Sequence, residues 1–309
     1  MTRKSFQVQG HRGARGLRPA DTLAGFEYAL DLGISALEMD AVMTRDEVIV
    51  LAHDAYINPK IHSRPDGAPI PSENDRGPLI RDLTLAQVKE YDTGSIALPD
   101  FPRRVRVPGE RIPSLRDLLI YLTDREETRV DLCLELKYNP ELDDTAAPEA
   151  MIDRILRDIR EFQVEDRFIF QCFDLRVLEI CASRLDTGRA LFLADDETLP
   201  ARQGKASPWT NGLMYEPGGG ILDFLAAAPK FQVFAPRFDH LYKENEHYLG
   251  NSVDEIQDAG YQVIPWTVNE EADMERLMDM GVDGIMSDYP DTLLALCRQR
   301  EMAVRNVDD

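Results

Sequence analysis

Apolar positions along the chain follow two rhythms. Short runs read as strands at Phe6–Gly10, Ser35–Asp40, Val48–Asp54, Val130–Lys137, Phe168–Asp174, Arg189–Ala194, Phe231–Ala235, Tyr261–Val268 and Gly284–Asp288. Between most of them the spacing turns helical. Asp21–Leu32 sets Leu23, Phe26 and Leu30 on one face, and Pro148–Phe162 carries Ile152, Ile155, Leu156 and Ile159 in an i, i+3, i+4, i+7 stripe. Ser114–Thr123 opens on a serine N-cap with Asp117 three residues on, a loose capping box. Glu270–Met280 ends before Gly281, a glycine suited to a helix C-terminus. Alternating strands and helices point to a parallel sheet, and this many units to a closed (β/α)₈ TIM barrel of the α/β class. The 309 residues suit one catalytic domain spanning residues 1–309.

Two stretches break the pattern. Nine strand candidates compete for eight places, and the link Ala41–Glu47 is too short for a helical crossover. Either one candidate is a loop strand or the alternation lapses there. Residues 55–112 hold eight of the nineteen prolines (Pro59, Pro65, Pro69, Pro71, Pro78, Pro99, Pro102 and Pro108), with helical period only over Leu83–Tyr91. So much proline excludes central strands and long helices, so the segment reads as a proline-rich insertion after the third strand.

Composition narrows the chemistry. Lys and Arg number 35 against 56 Asp and Glu, a net charge of −21, which disfavours nucleic acid and stable association with anionic membranes. The N-terminal MTRKSFQVQG lacks the apolar core of a secretory signal, and no apolar run reaches membrane-spanning length. Cys133, Cys172, Cys181 and Cys297 form no CxxC pair and read as small buried hydrophobes. A cytoplasmic protein acting on a small molecule is the expectation.

Ionisable residues crowd the ends of the strand candidates: His11-Arg12, Glu38 and Asp40, His53-Asp54, Glu135 and Lys137. Period two puts Glu38 with Asp40, and Glu135 with Lys137, on the face opposite their leucines, toward the barrel axis. Converging carboxylates raise one another's pKa unless a cation joins them, and an all-oxygen trio of Glu38, Asp40 and Glu135 suits Mg²⁺ or Ca²⁺. Arg12 and Lys137 beside a divalent ion suggest a bound phosphate, and His11 and His53 supply an acid and a base for phosphoester hydrolysis. Each piece alone has an ordinary structural reading: a hydrogen-bonded histidine, a salt-bridged rim, a cross-strand ion pair, a core tryptophan. Their coincidence at successive strand ends favours a site.

The ordered blocks His11-Arg12-Gly13-Ala14 with Pro19-Ala20-Asp21-Thr22, Glu38-Met39-Asp40, His53-Asp54, Ile112-Pro113-Ser114-Leu115, Glu135-Leu136-Lys137, Trp266-Thr267-Val268-Asn269 and Gly281 through Pro290 resemble the glycerophosphodiester phosphodiesterase family, of the phosphatidylinositol-phospholipase-C-like TIM-barrel superfamily. The resemblance implies metal-dependent hydrolysis of a glycerophosphodiester to glycerol 3-phosphate and an alcohol. His11 and His53 would be its acid–base pair and Glu38, Asp40 and Glu135 its metal ligands. Arg12 and Lys137 would contact the phosphate, and Trp266 would wall the pocket. The family usually carries Pro-Glu-Asn-Thr where this chain has Pro19-Ala20-Asp21-Thr22, a change at the entrance that bears on substrate preference. Arg103, Arg104, Arg106 and Arg111 either meet an anionic substrate or sit on a solvated loop. The competing readings are a lysophospholipid or sphingomyelin phosphodiesterase, with Ile96–Phe101 as its apolar rim, and a catalytically silent binding barrel. An amidohydrolase is disfavoured by the missing HxH pair.

Overall fold

Strands form at every predicted run. The computed structural model describes residues 5–64, 66–71 and 75–305, so Met1–Lys4 of the N-terminal reading and Pro65 lie outside it. Eight strands run parallel in the order β8-β7-β6-β5-β4-β2-β1-β9: β1 (Gln7–Gly10), β2 (Ala36–Met43), β4 (Asp131–Leu136), β5 (Phe168–Cys172), β6 (Arg189–Ala194), β7 (Val233–Pro236), β8 (Gln262–Val263) and β9 (Gly284–Ser287). Backbone hydrogen bonds from Asp283 to Val263, Met286 to Pro265 and Val268 to Met286 draw β9 onto the β8 segment across the remaining seam.

The ninth candidate is the loop strand. β3 (Ile49–Leu51) pairs antiparallel with the far end of β2, Ala41 opposite Leu51, so Ala41–Glu47 belongs to a hairpin and needs no crossover. His53 therefore follows this hairpin rather than a barrel strand. Among its described residues, the segment from there to Ser114 holds one 3₁₀ turn (Ile80–Asp82) and one short helix, α2 (Leu85–Val88), in keeping with its proline content. Ile57, Ile70, Ile80, Val88 and Ile112 bury against Val42 and Val50, giving this segment a small core of its own.

Period two sorts the main core into two layers. Leu37, Met39, Leu132, Leu134, Phe168, Phe170, Phe192 and Phe234 face outward under the helices. Ala36, Cys133, Ile169, Leu191, Leu193, Val233, Ala235 and Ile264 fill the barrel. Burying each large apolar side chain contributes about 1.5–3 kcal/mol. The outer layer is α1 (Leu23–Leu32), α3 (Leu115–Asp124), α4 (Pro148–Glu161), α5 (Leu175–Arg184), α6 (Leu222–Ala227), α7 (Val253–Asp258), α8 (Glu271–Asp279) and α9 (Pro290–Gln299). The predicted stripe of α4 is buried, the Ser114–Asp117 capping box starts α3, and Gly281 follows α8 with φ +79°. All four cysteines are buried. Among the described residues no helix is long and apolar enough to cross a membrane.

Candidate active site at the barrel mouth

The site is built where β1, β2, β4 and β9 end. β1 stops at Gly10, and the chain turns sharply through Arg12 (φ 48°) and Gly13 (φ 82°). A Cβ on Gly13 would come within 2.9 Å of the Gly25 backbone, so only glycine allows this turn. Arg12 sits in the left-handed region that non-glycine residues rarely occupy. The conformation lets it grip two carboxylates. Its backbone N–H donates to Glu38 Oε2 at 2.7 Å, while its guanidinium Nε lies 2.9 Å from Asp40 Oδ2.

Glu38, Asp40 and Glu135 converge as period two predicts. Each offers an oxygen within 4.8 Å of the others, and all three are buried. Gln171, inward-facing on β5, donates to Glu38 Oε1 at 2.7 Å. Lys137 Nζ lies 2.6 Å from Glu135 and 3.5 Å from Asp40. Burial would raise the Asp40 carboxyl, but Lys137 and Arg12 outweigh it and hold it well below the usual carboxylate range. Glu38 is pushed well up by burial and by its neighbours Asp40 and Asp21. Burial raises Glu135 to about 7 against the pull of Lys137, with Asp40 repulsion adding to the rise. Both Asp40 oxygens are buried without a hydrogen-bond partner among the described residues. An oxygen-only trio in this state has the donor set and the unmet charge that a hard divalent cation satisfies, so the residues fit one.

The two histidines are each tethered to a carboxylate. His11 Nδ1 lies 2.6 Å from Asp288 Oδ1, leaving Nε2 4.0 Å from Glu38. Asp288 is itself held by Asn269, which donates to its Oδ2 at 2.8 Å and accepts its backbone N–H at 3.0 Å. Burial would raise Asp288, but His11 and its hydrogen bond outweigh it and bring the carboxyl to about 2. His53 Nδ1 lies 3.1 Å from Asp54 Oδ1, and Asn58 braces the other Asp54 oxygen at 2.7 Å. Desolvation, then Lys137 and Arg12, lower His53 to about 4, so it is neutral near pH 7.

His53 and Asp54 stand between two cavities. One, of about 310 Å³, is lined by Glu135, Lys137, Tyr138, Phe173 and Trp209. The other, of about 280 Å³, is lined by Arg12, Arg15, Asp21, His62 and Arg104. Trp266 lines neither. It donates to Ala235 and packs edge-on against Phe173 with centroids 5.4 Å apart, so its ring backs the wall.

The seven polar residues predicted from sequence thus gather around one point. Asp288, Asn269 and Gln171 were not among them. Gln171 carried a signal, since period two turns it inward from an otherwise apolar strand.

The profile of the glycerophosphoryl diester phosphodiesterase family matches residues 11–292. The chain belongs to this family. A glycerophosphodiester phosphodiesterase of Caldanaerobacter subterraneus subsp. tengcongensis is 26% identical, the match covering 94% of this chain and 98% of the relative. Another from Bacillus subtilis is 26% identical over 91% of this chain and 83% of its own. A solved structure from Silicibacter pomeroyi, provisionally named a glycerophosphoryl diester phosphodiesterase, superposes with a TM-score of 0.79. It shares 27% identity, covering 97% of this chain and 96% of that one. A phosphodiesterase of Oleispira antarctica, solved with sn-glycerol-3-phosphate, has the same fold at a TM-score of 0.65 and 22% identity, over 94% of this chain and 96% of its own.

Proposed function

We propose that this chain hydrolyses glycerophosphodiesters to glycerol 3-phosphate and an alcohol, using a divalent ion, Mg²⁺ or Ca²⁺, held by Glu38, Asp40 and Glu135. The observation that carries the reading is one oxygen-only trio flanked by two carboxylate-tethered histidines and two cations. The family, and the glycerol 3-phosphate held by the Oleispira antarctica relative, support the substrate class. When bound, the ion supplies Lewis-acid polarisation of the phosphoryl oxygens.

The chain's own residues do the rest. Arg12 and Lys137 orient the phosphoryl group and stabilise the negative charge that grows on its oxygens. Asp288 accepts the Nδ1–H of His11 and leaves its Nε2 free to exchange a proton; Asp54 does the same for His53. One histidine, entering neutral, takes the proton of the attacking hydroxyl on its Nε2; the other, entering as the imidazolium, gives its Nε2 proton to the departing alkoxide. Phe173, braced by Trp266, walls the larger cavity against water. Release of glycerol 3-phosphate from glycerophosphoglycerol by purified protein with each ion tests the reading; absence of release with either ion would overturn it.

A second reading, a lysophospholipid substrate, is favoured by Leu142. This residue is 47% exposed where it rims the larger cavity beside Tyr138 and Phe173. A curated relative from Homo sapiens, 23% identical, is named a lysophospholipase D. Ile96–Phe101 forms no apolar rim: Leu98 turns into the smaller cavity, and Phe101 lies under the Arg15 guanidinium.

A further inference from the structure

The smaller cavity opens on the same groups as the carboxylate trio. Arg12, Asp21 and His53 form its inner wall, and Arg12 and Asp21 both touch Asp40, by ion pair at 2.9 Å and by backbone hydrogen bond at 3.2 Å. A diester centred on that trio therefore has two ways out past His53: the aromatic-walled cavity and this one.

Its outer wall is cationic in a chain of net charge −21. Arg15 comes from the turn after β1, and Arg104 from the irregular segment between β3 and α3. The Arg15 side chain is half-buried over the Phe101 ring at 4.7 Å, and among the described residues its guanidinium makes no hydrogen bond or ion pair. Among the described residues the Arg104 guanidinium donates to the carbonyls of Arg18, Ile96 and Thr93 and meets no carboxylate. Its neighbours differ: Arg103 pairs with Asp291, Arg111 with Asp92 at 3.3 Å, and Arg106 reaches the Ser95 carbonyl. Of the four arginines that the sequence offers to an anion, only Arg104 reaches this cavity. Desolvation lowers both guanidiniums; repulsion from Arg12 adds at Arg15, against a partial rise from Asp288, Asp21 and Asp40, and repulsion from Arg15 adds at Arg104. Two unpaired, partly desolvated cations side by side are costly until an anion joins them.

The carboxylates on the wall are already engaged. Asp21 Oδ1 accepts from the Asp40 backbone, and Asp54 accepts from Asn58 and His53. Ile61, Leu98 and Ile112 complete the lining with apolar surface suited to a short carbon skeleton.

We propose that this cavity binds the second alcohol arm of the diester, and that the preferred arm carries an anionic group of its own, a phosphate monoester, held between Arg15 and Arg104. The proposal deepens the glycerophosphodiesterase reading and rests on it. The substrate class is then a diester with two phosphates rather than one bearing a neutral or cationic headgroup.

The test compares two substrates that differ by one phosphate: glycerophosphoglycerol and glycerophosphoglycerol phosphate. The quantity read is the ratio of kcat/KM for the second over the first. The wild-type ratio should exceed 1, Arg15→Gln should lower it about 10-fold or more, the scale of one charge-assisted hydrogen bond, and Arg15→Lys should restore part of it. Arg104→Gln should lower it similarly, with thermal unfolding confirming that the segment still folds. A wild-type ratio at or below 1, or one unmoved by Arg15→Gln, would overturn the proposal. So would inorganic phosphate stimulating turnover of the neutral diester with no advantage for the anionic one, since the pocket would then serve a free anion. No turnover of either diester with Mg²⁺ or Ca²⁺ would instead overturn the underlying activity.

Discussion

Asp288, at the end of β9, accepts a 2.6 Å hydrogen bond from His11, at the end of β1, across 277 residues of sequence. The contact exists because β9 pairs with β1 in parallel, Ser287 opposite Gly10, so the two residues leave adjacent strands side by side. It fixes which His11 nitrogen faces the carboxylate trio.

The pair predicts a graded response. His11→Ala should lower kcat by roughly 10²–10⁴-fold, the range of general acid–base catalysis. Asp288→Asn should cost about 10–100-fold, the scale of losing an orienting partner. Asp288 raises the His11 pKa against the lowering by burial, so Asp288→Asn should also move the limb of the pH–rate profile that depends on His11 to lower pH. Wild-type kinetics in both variants would remove His11 from the mechanism.

His53 should behave as its partner in the chemistry. Its side chain is 37% exposed and sits on the hairpin extension, outside the barrel core. His53→Ala should therefore leave the unfolding temperature within a few degrees while lowering kcat by roughly 10²–10⁴-fold. Unaltered turnover would exclude it.

Lys137 separates two roles by kinetics. Its ammonium lies 2.6 Å from Glu135, so it either holds the substrate phosphate or only balances that carboxylate. Lys137→Met should lower kcat/KM by about 10²-fold while metal affinity falls little or rises, since a neighbouring positive charge is gone. Recovery of wild-type kcat at saturating metal would show that Lys137 does nothing but balance charge.

Acid stability should respond to His62, 5% exposed and lowered to about 4 by burial against a partial rise from its hydrogen bond to Asn58. Between pH 6.5 and about 4 the unfolded chain binds a proton here that the folded chain does not. Stability is then lost as pH falls through that window, by about 3 kcal/mol in total. Denaturant titrations at pH 7 and pH 4.5 should show this loss reduced in His62→Gln. An undiminished loss would place its source elsewhere.

Local rules reached the strands, the capping box of α3 and the inward face shared by Glu38 and Asp40, because period and capping are properties of a few consecutive residues. The β2–β3 hairpin was half legible: Ala41–Glu47 was too short for a crossover, yet nothing local said which candidate left the ring. Asp288 as the His11 anchor depends on how β9 closes against β1, and the second cavity on where an irregular segment folds back over the mouth. Such pairings are set by tertiary contacts far apart in sequence, which periodicity does not encode.

Metal dependence is the central claim, and one titration tests it most directly. Metal-stripped protein is given glycerophosphoglycerol, and glycerol 3-phosphate is followed as Mg²⁺ or Ca²⁺ is added, for wild type and for Asp40→Asn. Release should be absent without the ion, should rise to saturation with it, and should need at least about 10-fold more ion in the variant, since Asp40 touches both Arg12 and Lys137 at the centre of the trio. Full turnover by the stripped protein, unaffected by added ion, would contradict the account.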